Sequence, residues 1–242
     1  MRYKVTLCYD GSAFCGWQIQ SNAPSVQETL QNALSTLLGG AVEVVGAGRT
    51  DTGVNARGYV AHFDCDAAFE PEQICYKLNA ILPKEIAISD ITQVPDDFHA
   101  RFSATSRQYK YYIHNRKDPF RNAFSWYCRY RMDVDRMNEA CTLLLGTHDC
   151  SCFEKTGSDN ATSISTVTYA RWEKAEDGSL VFTIEANRFL RNMVRAIVGT
   201  LVDIGRGVHE PAYISELLEK GTRSDAGQSV PGHALFLSGI RY

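Results

Sequence analysis

Val42-Glu-Val-Val-Gly-Ala-Gly-Arg-Thr-Asp-Thr-Gly53, with Tyr59-Val-Ala-His-Phe63 soon after it, reads as strand, loop, strand. Residues 42–45 and 59–63 are rich in β-branched and aromatic side chains, which suit a pleated surface. The glycines at 46, 48 and 53 make the stretch between them a loop. Moving outward, residues 3–9 alternate as a strand. Ser25-Val-Gln-Glu28 is a capping box, and the helix it opens carries Val26, Leu30, Leu34, Leu37 and Leu38 on one side until Gly39-Gly40 ends it. A helix over 71–82 closes at Pro83, and 85–94 reads as a strand.

Further along, 107–115 is a basic strand, 133–145 a helix stopped by Gly146, and 163–174 with 179–186 a hairpin across Glu176-Asp-Gly-Ser. Helices over 189–204 and 211–220 and a strand over 235–240 complete the chain. Strands and helices mixed with hairpins predict an α+β class, a mainly antiparallel sheet with flanking helices. The expected division is an N-terminal half, 1–100, with the glycine loop, and a C-terminal half, 101–242, with the basic strand and an arginine-bearing helix. No sequence repeat links the halves.

Composition narrows the function. The 242 residues hold no apolar run long enough to cross a bilayer and open without a signal-peptide pattern, so the cytoplasm is the expected compartment. Eight scattered cysteines then read as reduced thiols. Cys150-Ser-Cys152 near His148 lacks the second ligand pair that a zinc site wants, so no metal is expected. Net charge is −3, yet residues 101–131 carry eight Lys/Arg against one acid, Asp118. Nine aromatic residues interleave with that charge, from Phe102 and Tyr109 to Tyr130. Cations with aromatic rings suit RNA, which offers phosphates and unstacked bases. A solvated strand face over a buried aromatic face fits the same pattern.

Two segments can carry chemistry. The loop 46–53 has glycines on both sides, an Arg and an Asp two apart, and no bulky side chain. Asp51 there suits a nucleophile shielded from water. Taken alone, such a loop more often holds a turn-capping Asp, here partnered by Arg49. The second segment places Arg188, Arg191 and Arg195 at i, i+3 and i+7, one face of the expected helix. Phosphate loops, nucleophile elbows and zinc-protease motifs are absent from the sequence.

Several long motifs in order resemble the tRNA pseudouridine synthase A family. Gly48-Arg-Thr-Asp-Thr-Gly-Val54 is similar to its active-site motif, and Tyr9-Asp-Gly-Ser-Ala-Phe-Cys-Gly-Trp-Gln18 to its opening strand and turn. Ser25-Val-Gln-Glu-Thr-Leu30 resembles its first helix, Phe98-His-Ala-Arg-Phe-Ser-Ala-Thr-Ser-Arg-Gln-Tyr-Lys-Tyr111 its central RNA-contacting segment, and Asn187-Arg-Phe-Leu-Arg-Asn-Met-Val-Arg-Ala-Ile-Val-Gly199 its late helix. The resemblance implies two related halves around a central RNA-binding cleft, and isomerisation of uridine to pseudouridine in the anticodon stem-loop of tRNA. By the same resemblance Asp51 is the nucleophile, Arg49 the base-flipping residue, Tyr109 the residue stacking on the target base, and Arg195 the partner of the catalytic carboxylate. Phe98, His99, Arg101 and Phe102 fall where the family contacts RNA, and Arg191 joins that substrate-binding set. No cofactor is implied, and tRNA and a second copy of the chain are the expected partners.

Three positions depart from the family pattern. Thr52 stands where the family usually has Ala, Asn55 where it usually has His, and His233-Ala-Leu-Phe replaces a Gly-Leu-Tyr. The rival expectation is therefore an RNA-binding relative with weak or lost activity. A glycosidase using Asp51 lacks the second carboxylate such chemistry needs nearby.

Overall fold

The computed structural model describes residues 1–66, 68–158 and 160–242. It consists of two compact units. The first holds Met1–Thr105 together with Leu237–Tyr242, and the second Ser106–Phe236.

In the first unit β1 (Arg2–Tyr9) lies between β3 (Asn55–Asp64) and β4 (Ile86–Val94), antiparallel to both. Alternation in β1 buries Tyr3, Val5, Leu7 and Tyr9 on one face. β2 (Val44–Gly46) pairs antiparallel with the end of β3, and β10 (Leu235–Arg241) lies on the other side of β3 from β1. β3 begins four residues before the expected 59 because Ala56 pairs with Tyr9. The polar Asn55 and Arg57 hide that start from a hydrophobicity pattern. Helices α1 (Val26–Leu38) and α2 (Pro71–Ile81) accompany these strands. The capping box works as expected at α1: Ser25 Oγ accepts from Glu28 N at 3.2 Å, and Gly39 ends the helix with φ 72°. Burying Leu30 and Leu34 of α1 stabilises the unit by roughly 1.5–3 kcal/mol each.

In the second unit the strand order is β5 (Ser106–His114), β9 (Leu180–Ala186), β8 (Ile164–Lys174), β7 (Gly146–Asp149), all antiparallel neighbours. The short β6 (Trp126–Tyr127) runs parallel to β5. The polar β7 was not expected; pairing with β8, not hydrophobicity, makes it a strand. Helices α3 (Val134–Leu143), α4 (Met193–Gly205) and α5 (Tyr213–Lys220) belong to this unit. Helix α4 is buried at every position except Arg195 and Asp203. The architecture is the mainly antiparallel α+β class expected. Among the described residues, no helix is long and apolar enough to cross a membrane.

Candidate active site and RNA surface

Asp51 sits half-buried on the loop between β2 and β3, beside buried Thr50 and exposed Arg49 and Thr52. Backbone contacts from residues 10–17 hold this loop. Trp17 N donates to Thr50 O and Gly53 N to Phe14 O, both at 3.4 Å. Gly11 N donates to Asn55 Oδ1 at 2.8 Å, and Tyr9 and Thr50 hydroxyls meet at 2.9 Å. The fit leaves no space. A Cβ at Gly16, whose φ is +90°, would lie 2.2 Å from Thr50 O, and one at Gly11 2.2 Å from Val54 O. Glycine is required here for close approach of two backbones and, at position 16, for the left-handed conformation.

Below the loop lies an aromatic floor. Trp17 and Tyr59 stack with centroids 4.1 Å apart, and Tyr9 lies 5.6 Å from Tyr59. Tyr59 is fully buried; its hydroxyl donates to Gly48 O and accepts from Gly48 N at 3.4 Å. A buried hydroxyl needs such a partner. The chain on both sides of Asp51 is therefore fixed to the sheet. Asn55 is part of this scaffold: it is buried and serves as acceptor for Gly11.

The expected RNA-contact residues 98–102 form a turn in the same unit. Arg2 Nη1 donates to Phe98 O at 2.8 Å, and Tyr242 Oη to Ala100 O at 2.8 Å. His99 Nδ1 accepts from Arg101 N at 3.1 Å and Phe102 N at 3.3 Å. Buried His62 accepts from Ala100 N through Nδ1 at 3.1 Å. Burial first, then the nearby Arg2 and His99 charges, lowers the His62 pKa to about 4, so its ring stays neutral. Phe98 packs against a small core of Ala47, Val60 and Ala100, which ties the turn to the base of the Asp51 loop. Phe102 remains 76% exposed, with the Arg101 guanidinium 5.5 Å from its ring centre.

Tyr109 lies half-buried on β5 opposite Ile184, edge-on to Phe189 at 5.1 Å. Tyr111, two residues on, is fully buried and donates to Pro231 O at 3.0 Å. The expected arginine face does not form. Helix α4 begins at Met193 and not at residue 189, so Arg188 and Arg191 precede it and share no helical face with Arg195. The cause is Asn192, whose φ of 67° is left-handed and cannot continue a right-handed helix. Asn192 Nδ2 donates to Ser229 Oγ at 2.6 Å. The carbonyls before it are claimed from elsewhere in the unit: Arg107 Nη1 takes Asn187 O at 2.8 Å, Ser165 Oγ takes Arg188 O at 2.6 Å, and Lys155 N takes Arg191 O at 3.0 Å. Arg191 is exposed. Arg195 Nε donates to Val230 O at 2.7 Å.

Residues 7–103 and 140–242 match the family model described as tRNA pseudouridine synthase. The chain belongs to that family. It is similar to tRNA pseudouridine synthase A of Bacteroides thetaiotaomicron, 47% identical over all of this chain and 90% of that one. The enzyme of the same name from Thermoanaerobacter pseudethanolicus is 42% identical over 98% of both chains, and that of Bacillus subtilis 39% identical over 100% of this chain and 99% of its own. A chain in the crystal structure of a Cbf5–Nop10–Gar1 complex aligns over 83% of this chain and 45% of its own at 12% identity; its TM-score of 0.37 is too slight a likeness to bear on the fold.

This tRNA pseudouridine synthase is an enzyme of the isomerase class, with the pseudouridine synthase fold. Among its described residues no three His, Cys, Asp or Glu side chains gather to hold a metal. Cys150 and Cys152 are buried, and burial pushes their thiols up to about 12 and about 11. Sequence reasoning missed Tyr59, Trp17 and Tyr9 as supports of the Asp51 loop. Each reads as an ordinary core aromatic; the only local hint was the glycine at 46, where a Cβ would come within 2.4 Å of Trp17 Nε1.

Proposed function

We propose that this enzyme converts uridine to pseudouridine in the anticodon stem-loop of tRNA, with Asp51 as the nucleophile. The observation that carries the reading is the mounting of Asp51: a half-buried carboxylate on a loop clamped on both sides by backbone contacts. A carboxylate held that way keeps one attack geometry and resists relaxing into a turn around its own charge. The relatives named tRNA pseudouridine synthase A support the choice of RNA.

The reaction breaks the N1–C1′ bond, rotates the uracil, forms the C5–C1′ bond and releases the C5 proton while N1 gains one. Atoms are conserved, and no electron donor or acceptor is needed. The base must first leave the stack, at a cost of a few kcal/mol. Arg49, exposed on the loop, fills the vacated space. Tyr109 stacks on the target base, and Phe98, His99, Arg101 and Phe102, with Arg191 and Arg195, take the surrounding RNA. The enzyme works as a homodimer in the cytoplasm on this reading; sedimentation at micromolar concentration checks the dimer.

The test is release of tritium from tRNA labelled at uridine C5. Wild type releases it, and Asp51→Ala does not. Release by Asp51→Ala at the wild-type rate sinks the nucleophile. Tight binding with no release by wild type favours the RNA-binding relative instead. Thr52 is exposed and Asn55 serves the scaffold, so neither departure removes a reacting group.

A further inference from the structure

Residues 104–139 lie outside the stretches that the family model matches. Within them, a loop over 115–125 leaves the end of β5 and returns as β6, which places Trp126 opposite Ile113 and Tyr127 opposite His114. The base of this loop is fixed. His114 Nδ1 lies 2.9 Å from Ser125 Oγ, and the His114 ring stacks on Tyr127 at 5.5 Å. Its tip is fixed too. Asp118 Oδ1 accepts from Phe120 N at 2.9 Å. The Arg121 guanidinium bridges Asp118 at 3.3 Å and Asp177, in the turn between β8 and β9, at 2.5 Å.

Two consequences follow for the surface. Asp118 is the sole acid among residues 101–131, and both it and Asp177 are engaged by Arg121. Arg116 and Lys117 stay exposed on the same loop. Phe120, on a tip ordered by those contacts, is 93% exposed. A ring displayed on an anchored turn beside two cations matches single-stranded nucleic acid: phosphate for the cations, the face of an unstacked base for the ring. A two-fold contact with another copy through this patch would set Arg116 and Lys117 against themselves.

We infer that the loop 115–125 is a second RNA-docking surface, which takes the backbone and an unstacked base of the tRNA at nucleotides other than the one that reacts. The inference rests on tRNA being the substrate and is independent of the role of Asp51. Phe120 supplies stacking; Arg116 and Lys117 supply phosphate contacts; Arg121 is the positioning residue that bridges the two acids and holds the tip.

Filter binding of a full-length tRNA transcript across a range of KCl tests it, with steady-state kinetics on the same RNA. Phe120→Ala weakens binding about 5- to 10-fold and raises KM by the same factor, while Phe120→Trp restores both. The double variant Arg116→Ala/Lys117→Ala lowers the slope of log Kd against log salt by about 2. The same changes recur when the substitutions are made in Asp51→Ala, read by binding alone, so a failure of the nucleophile does not mask the result. Unchanged Kd and salt slope in both variants overturn the inference. So does a change of sedimentation with tRNA binding intact, which would assign the patch to a contact between copies.

Discussion

The loop carrying Asp51 and the segment carrying Arg188, Arg191 and Arg195 are held in opposite ways. The Asp51 loop is wedged between backbones: Gly16 touches Thr50 and Gly11 touches Val54 with no room for a methyl group. The arginine segment is held by reaching side chains, which take the carbonyls of residues 187 and 188, by single backbone hydrogen bonds at its two ends, and by one left-handed asparagine. Backbone wedging fixes a position to within a fraction of an ångström because main-chain atoms cannot swing aside. Side-chain tethers hold a path but tolerate adjustment. On the function proposed above, Asp51 as nucleophile uses the first kind of support, and arginines that grip phosphate use the second.

The sharpest way to break this contrast is Gly16→Ala. Its Cβ would meet Thr50 O at 2.2 Å with φ at +90°, so the loop must shift or the 10–17 turn must open. Stability falls by roughly 3 kcal/mol, and the tritium-release rate falls on the order of 100-fold. Turnover near wild type would mean that the clamp does not set the position of Asp51. The matching change in the other region is smaller. Asn192→Ala loses about 1–2 kcal/mol of stability, and Asn192→Gly loses less, because glycine tolerates the left-handed φ. Thermal unfolding that ranks Ala at or above Gly would remove the left-handed start of α4 as the controlling feature.

A third effect is a pH dependence in the support of the 98–102 turn. The His62 pKa lies near 4 in the folded chain against an ordinary 6.5, so the unfolded chain takes up the proton first. Its contribution to stability is complete above about pH 6.5 and is lost as pH falls toward about 4. His62→Gln should flatten that part of the curve of Tm against pH. A slope identical to wild type would exclude His62 as its source.

Much of this was legible in local sequence. The ends of α1 follow from Ser25, Glu28 and Gly39, whose capping is local chemistry. The glycine-rich stretch between β2 and β3 is a loop, as its residues indicate. The start of α4 was not legible. Apolar spacing runs without a break from Phe189 to Leu201, and partners distant in the chain, among them Arg107, Lys155, Ser165 and Ser229, draw residues 187–192 out of the helix. The supports of Asp51 were hidden for a related reason. Tyr9, Trp17 and Tyr59 look like any buried aromatic residues until pairing of β1 with β3 brings them together under Gly48.

By itself the amino-acid sequence determined the caps of α1, the loop that presents Asp51, the excess of positive charge in residues 101–131 and, through motifs in order, the family. Those features rest on interactions between near neighbours or on residue identity alone. Only the tertiary structure decided that Leu237–Tyr242 fold with the first hundred residues, that Thr50 and Gly53, on either side of Asp51, are held by residues 14–17, and that Arg188 and Arg191 stand outside α4. Each of these depends on hydrogen bonds and steric contacts between residues far apart in the chain, which no local pattern encodes.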